Sequence, residues 1–360
     1  MTPRAPHIVI LGAGLIGLST ADALIRRGAR TTILETQAKS LHGASFANSG
    51  MIHPSQACRW GGTMYDPEVD AAVHELAVRS RSLLMDRMGE LGLKAMQARP
   101  PGCFQIFETE NLVDQAQSRM IARGILAERR GPGPNTFHRH GLFFPEDRSG
   151  DALAYGQALA RAVQDRGGAI RTGVDCPVLG RDSEGVVTVA VEGEPIEADH
   201  VVVACGSQTA ETFKPLGLSV AIDPIRGWAV DFDTPESVEL PIQPVMDAAT
   251  RSALTPFEGW FRLSGTWGEE SEGLLLSRWS EIMPHVMSIC AEPRQIWSGQ
   301  RPVSAAGRPF TGPTQVPHLW INAGHGHMGW TLCAGSGELM AEMILDGRED
   351  ARFAYQNLAP

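Results

Sequence analysis

The residues best placed to do chemistry are glycines. Gly12-Ala13-Gly14-Leu15-Ile16-Gly17 follows a short apolar run, His7–Leu11 (HIVIL), and precedes an amphipathic segment at 18–27. Glycines at this spacing let backbone N–H groups approach a pyrophosphate at the positive end of a helix. Glu35 stands 18 positions past Gly17, closing a second apolar run, TTILE at 31–35. An acid there can accept both ribose hydroxyls of an adenosine and would repel a 2′-phosphate. The glycine pattern alone is a weak signal; between a strand and a helix, with the acid at this distance, it predicts a dinucleotide site.

A second glycine loop, Gly324-His325-Gly326-His327-Met328-Gly329-Trp330-Thr331, opens a helical run that reaches about residue 345. Thr331 is expected to N-cap that helix. Gly335 and Gly337 inside it cost roughly 1 kcal/mol each against alanine, a loss that close packing against a strand or cofactor would offset. Gly347 suits the C-terminal cap. The loop at 43–51 (GASFANSGM) is dense in small and hydroxyl residues, as a wrap around phosphates or a flat ring would be. The run DHVVVAC at 199–205 brings Gly206 to a strand end.

The elements that position these residues read as strand, helix and strand at the start, then a helix from 66 to 93. A strand at 103–108, an exposed helix at 112–129 and a helix at 150–168 follow. A hairpin-like pair surrounds Gly193. From 220 to 280 short β-like runs dominate, at 222–230, 261–265 and 274–276. The expected fold is α/β, or α+β overall, with a Rossmann-type dinucleotide domain and an interleaved β-rich substrate domain. Residues 1–57, 150–218 and 296–360 form the first, and 58–149 and 219–295 the second.

The chain has 360 residues, 43% hydrophobic and 20% charged, with net charge −10. Those bounds suit a globular protein of about two domains. The acidic balance argues against a nucleic-acid partner, which needs a basic face. Six scattered cysteines make neither a disulfide framework nor a zinc site and suit a reducing, cytoplasmic compartment. No uninterrupted apolar stretch is long enough for a transmembrane helix. Peripheral contact with the inner face of a membrane stays open. His325 and His327 lack a third ligand at suitable spacing, so no metal site is expected.

These elements, in this order, resemble the FAD-dependent D-amino-acid oxidase superfamily, in particular its D-amino-acid dehydrogenase, glycine oxidase and hydroxyproline dehydrogenase types. The matching pieces are Gly12–Gly17, Glu35, the SFANSG run at 45–50, residues 201–206, Gly299-Gln300-Arg301-Pro302 and the 324–331 loop with Gly335-Ser336-Gly337. The resemblance implies a noncovalent FAD, with His42 or His53 as the alternative of a covalent tether. Its adenosine would lie on Gly12, Gly14, Leu15, Ile16, Gly17 and Glu35, and its pyrophosphate near Ala44 and Ser45. Asn48, Ser49, Gly50 and Met51 would approach its ring. Val174 would meet the adenine edge through its backbone, and Gly206 the same nucleotide edge. His327, Met328, Gly329, Trp330 and Thr331 would line the pyrimidine side, where a helix N-terminus stabilises negative charge.

The implied substrate is a small amine, a D-amino acid or cyclic imino acid, whose Cα–H leaves as hydride to flavin N5. Electrons would pass to a quinone or other carrier. A carboxylate in a closed pocket calls for a bidentate arginine. The resemblance implies Arg301 as that anchor, which also borders the cofactor, then Arg226, then Arg262. Tyr65 is the one tyrosine well placed to assist, and Trp60, Trp228 and Trp330 are either pocket walls or core. The chain looks shorter than the full-length dehydrogenases, which leaves room for a partner subunit. Two readings compete: an oxidase that uses dioxygen on glycine or sarcosine, and a flavin-binding subunit without its own substrate site.

Overall fold

The computed structural model describes residues 4–57 and 67–355. The β-branched runs become the central strands of a six-stranded sheet. Its order is Phe310–Pro313, Leu319–Ala323, His200–Val203, His7–Leu11, Arg30–Glu35 and Ala169–Thr172. All pairs are parallel except the first, which is antiparallel. Alternating side chains divide between two cores, because a strand points successive residues to opposite faces. Ile8 and Ile10 pack with the helices Leu15–Arg26, Ala152–Asp165 and Gly329–Asp346. Val9 and Leu11 pack on the other face against a three-stranded sheet, Val178–Arg181, Val187–Val191 and Glu194–Ile196.

A second, eight-stranded sheet has the order Gln295–Ser304, Ile222–Asp233, Trp260–Gly265, Ser252–Phe257, Val245–Asp247, Cys103–Phe107, His140–Phe144 and Glu128–Arg130. Helix Glu272–Ile282 covers one part of it through Leu275, Trp279 and Ile282. The leucines at 274–276 therefore belong to a helix, where the sequence suggested a strand. A short apolar run fits either period, and here the buried residues fall at helical spacing. The helix expected at 112–129 is Glu110–Ala122, N-capped by Thr109, and the chain turns at Gly124 into the strand Glu128–Arg130. Residues 296–304, expected with the dinucleotide-binding part, pair along their length with Ile222–Asp233 in the eight-stranded sheet.

Two polar clusters fix the helices beside the cleft. Asn322 on a central strand donates to Thr20 at 3.0 Å and accepts from Thr311 at 3.1 Å, all fully buried. Asp22, also buried, receives Arg26 at 2.8 Å, Arg87 at 3.0 Å and Arg166. It thereby ties helix Leu15–Arg26 to Pro67–Glu90 and Ala152–Asp165. A cleft of about 1350 Å³ is lined both by the first glycine turn and by the strands Ile222–Asp233 and Gln295–Ser304.

Candidate active site

At one end of the cleft the first glycine turn is closed tightly. Gly12 has φ +102°, and a Cβ on it would lie 2.6 Å from the Ala204 carbonyl oxygen. A Cβ on Gly17 would overlap the Gly12 carbonyl, so helix Leu15–Arg26 starts directly on the turn. Gly17 supports the cleft from behind; Gly12, Gly14, Leu15 and Ile16 line it. Glu35 also lines it, its carboxylate held by the Ala13 N–H at 2.8 Å and the Gln37 N–H at 2.9 Å. Ser45 Oγ accepts the Leu15 N–H at 3.0 Å, joining the hydroxyl-rich loop to the helix N-terminus. Ala44, Val174 and Gly206 are cleft residues too. The Val174 N–H donates to the Glu35 carbonyl at 3.2 Å, so an adenine contact through its backbone would fall to its own carbonyl.

Farther along, Asn48, Ser49, Met51, His327, Gly329 and Trp330 line the cleft, while Gly50, Met328 and Thr331 do not. Gly50, at φ +75°, sits against Phe257, which a Cβ would meet at 2.8 Å. The C-terminal helix begins at Gly329 rather than after Thr331, because the 3-10 turn Gly326–Met328 runs straight into it. Thr331 lies in the first turn and makes no cap; its hydroxyl accepts the His53 N–H at 3.1 Å. Gly335 and Gly337 pack against helices, not a strand or ligand. A Cβ on Gly335 would be 2.7 Å from Ser80 Cβ, and one on Gly337 2.7 Å from the Ser19 backbone.

Histidines on this wall are neutral. Burial lowers His53 to about 4 and His325 to about 3. Burial first, and then the neighbouring His53, keep His327 well below its ordinary value. His325 is engaged by Ser336 Oγ at 3.0 Å and His327 by the Gln56 carbonyl at 3.3 Å. His53 Nδ1 and Trp330 Nε1 are buried polar atoms with no hydrogen-bond partner among the described residues, and both side chains belong to the cleft wall.

Arg301 lies on this wall. Its guanidinium donates to the carbonyls of Arg226 at 3.2 Å, Thr266 at 3.0 Å and Gly265 at 3.1 Å. Of five N–H donors, Nε–H and one on Nη2 keep no partner among the described residues. Those two form an edge that matches a carboxylate. Burial lowers its pKa to about 10, and it makes no ion pair among the described residues. The side chain fits because Gly227 has none: a Cβ there would collide with the guanidinium. Arg226 itself is exposed and outside the cleft lining, and serves Arg301 through its carbonyl. Arg262 is consumed by Asp231, bidentate at 2.7 and 2.8 Å, and by the Asn48 carbonyl at 2.9 Å. Tyr65 and Trp60 lie outside the described residues.

The profile of one protein family, FAD dependent oxidoreductase, matches residues 7–343. The chain belongs to that family. A D-amino acid dehydrogenase of Vibrio vulnificus is 25% identical, over 93% of this chain and 95% of its own length. One from Cereibacter sphaeroides is 28% identical, over 95% and 92%. Among solved structures, a glycine oxidase of Geobacillus kaustophilus superposes with TM-score 0.83 at 23% identity, covering 99% of this chain and all of its own. An L-proline dehydrogenase of P. horikoshii does so with TM-score 0.78 at 18% identity, covering 96% and 95%.

The protein is thus an FAD-dependent oxidoreductase, and its residues fit the cofactor. A Cβ at Gly12 or Gly17 would strike backbone and force the turn open, Glu35 is held at the strand end, and the cleft is large enough for a dinucleotide. The orphaned nitrogens of His53 and Trp330 belong to the same wall. Sequence reasoning missed Gly227, Trp297, Gln56 and Arg251, all of which line the cleft. Gly299 and Arg301 share a strand face by their spacing of two, but the register that sets Gly227 opposite Gly299 is a long-range fact.

Proposed function

We propose that the protein oxidatively deaminates an amino acid, a D-amino acid or cyclic imino acid, and passes the electrons to a quinone or other carrier. The observation that carries this reading is Arg301, a part-buried guanidinium held by three backbone carbonyls with two parallel donors left for a carboxylate. Relatives named D-amino acid dehydrogenase support the choice of substrate class. When bound, FAD supplies the acceptor for the hydride leaving Cα. The nitrogen lone pair then forms the imine, which water hydrolyses to an oxo acid and ammonia when the amine is primary.

The neutral histidines of the wall are poor proton acceptors for an ammonium, so the amine enters as the free base. Arg301 fixes the carboxylate, and with it the direction in which Cα–H points. The helix N-terminus at Gly329 faces charge that develops beside it. The test is an anaerobic screen of D- and L-amino acids, imino acids and N-alkyl amines for bleaching of the bound flavin. Bleaching by an amino acid that yields no peroxide in air supports a dehydrogenase. Peroxide would assign an oxidase instead, and no bleaching by any amine would contradict amine oxidation.

A further inference from the structure

Among the described residues two arginines line the cleft, Arg301 and Arg251. They approach one strand end from opposite sides. The Arg301 side chain crosses Ile222–Asp233 at Gly227 and stops on the carbonyls of Gly265 and Thr266, at the end of Trp260–Gly265. Arg251 precedes Ser252–Phe257, the next strand over, and a Cβ on Gly265 would lie 3.4 Å from its carbonyl oxygen. Neighbouring strands are roughly 4.8 Å apart, so the Arg301 guanidinium ends about one strand spacing from the Arg251 backbone. The charges of both arginines bear on His327.

Backbone strain marks the same place. Arg251 has φ +52° and Thr266 φ +64°, a conformation unfavourable for any side chain and most of all for a β-branched one. Strain of this kind persists where surrounding structure holds it, commonly at binding sites. Arg251 is exposed at the cleft and has no hydrogen bond or ion pair among the described residues.

Nearby acids do not neutralise it. Asp247, four residues away and also lining the cleft, is gripped by Arg278 at 2.7 and 3.0 Å. Burial alone would raise its pKa, but the Arg278 hydrogen bonds outweigh that and keep it ionised. Glu211 is paired with Lys214 at 2.7 Å. Glu35 and Asp175 belong to the adenosine end, where Val174 joins Glu35. In a chain of net charge −10, this corner of the cleft is cationic.

We propose that the cleft takes an amino acid with a second carboxylate, the α-carboxylate on Arg301 and the distal one on Arg251. This rests on the amino-acid reading above and narrows it to acidic or dicarboxylic amine substrates. It is tested on FAD-loaded enzyme in two ways. Succinate and propionate, which cannot react, are titrated against the absorbance of the bound flavin. D-aspartate and D-alanine are compared for anaerobic bleaching.

The expected result is a preference for the diacid of at least about tenfold in both assays. Arg251→Asn, which removes the charge and suits the left-handed backbone, should cut that preference by about tenfold or more. Arg251→Lys should retain most of it. Equal affinity for succinate and propionate, or the same preference in wild type and Arg251→Asn, would overturn the proposal. D-alanine bleaching without any diacid preference leaves amino-acid oxidation standing and removes the second anion site. A succinate preference lost in Arg251→Asn, with no amine able to bleach the flavin, does the reverse.

Discussion

The guanidinium of Arg301 reaches the Gly265 and Thr266 carbonyls because Gly227, beneath it, has no side chain. Gly227→Ala should therefore displace the arginine without touching the cofactor cradle. The half-saturating concentration of a carboxylate substrate should rise by about tenfold or more, with FAD content unchanged; an unaltered value would detach Gly227 from substrate binding. His53 sits at about 4 and His327 well below its ordinary value, so neither changes charge at neutral pH. The rate of flavin reduction should climb with the neutral fraction of the amine. An inflection near neutrality that disappears in His53→Asn would contradict this. The meeting of Glu35 with the first glycine turn was legible in sequence because it is set by local spacing. The exposure of Arg226 and the pairing of Arg262 with Asp231 depend on strand register, which local spacing does not encode.

Among the elements, helix Gly329–Asp346 joins cofactor wall to core. Its length and C-terminal cap at Gly347 were readable from periodicity, but its start was not, since a 3-10 turn extends it back past Thr331. The partners of its glycines were also hidden, because helix-to-helix contacts leave no mark in a single segment. Gly337→Ala would put a methyl 2.7 Å from the Ser19 backbone and pry this helix from Leu15–Arg26. A loss of about 1–3 kcal/mol is expected, measured by denaturant unfolding of the holoenzyme; a change within error would show that the helices part freely. The 3-10 turn Pro54–Gln56 is anchored by Asp147. Its carboxylate accepts Ser55 N–H at 3.2 Å and Ser55 O–H at 2.6 Å, and burial raises its pKa from 3.8 to about 7. A raised folded-state pKa contributes stability that is present below about 4 and is lost as pH rises through about 7. Asp147→Asn removes that loss, so its melting temperature relative to wild type should increase between about pH 5 and pH 8. A difference that stays flat over that range would mean the carboxylate is not held protonated.

Across the whole molecule, two sheets face one cleft, one carrying the first glycine turn and the other Arg301. The parallel sheet was the readable half, because strand, glycine turn and helix recur in sequence with fixed spacing. Of the eight-stranded sheet only its β-rich character and its two source segments were expected; the pairing of Cys103–Phe107 with Val245–Asp247 is a long-range contact that no local spacing encodes. No helix among the described residues is long and apolar enough to cross a membrane. Arg301, on the cleft wall, is the proposed seat of the substrate carboxylate. Its most direct test is anaerobic flavin reduction by the best amino acid from the screen, in wild type and Arg301→Ala, with FAD content measured in both. Removing one partner of a buried charge pair costs about 3–5 kcal/mol, so half-saturation should rise by about a hundredfold or more while FAD stays bound. Unchanged half-saturation in a fully loaded Arg301→Ala enzyme would contradict the account.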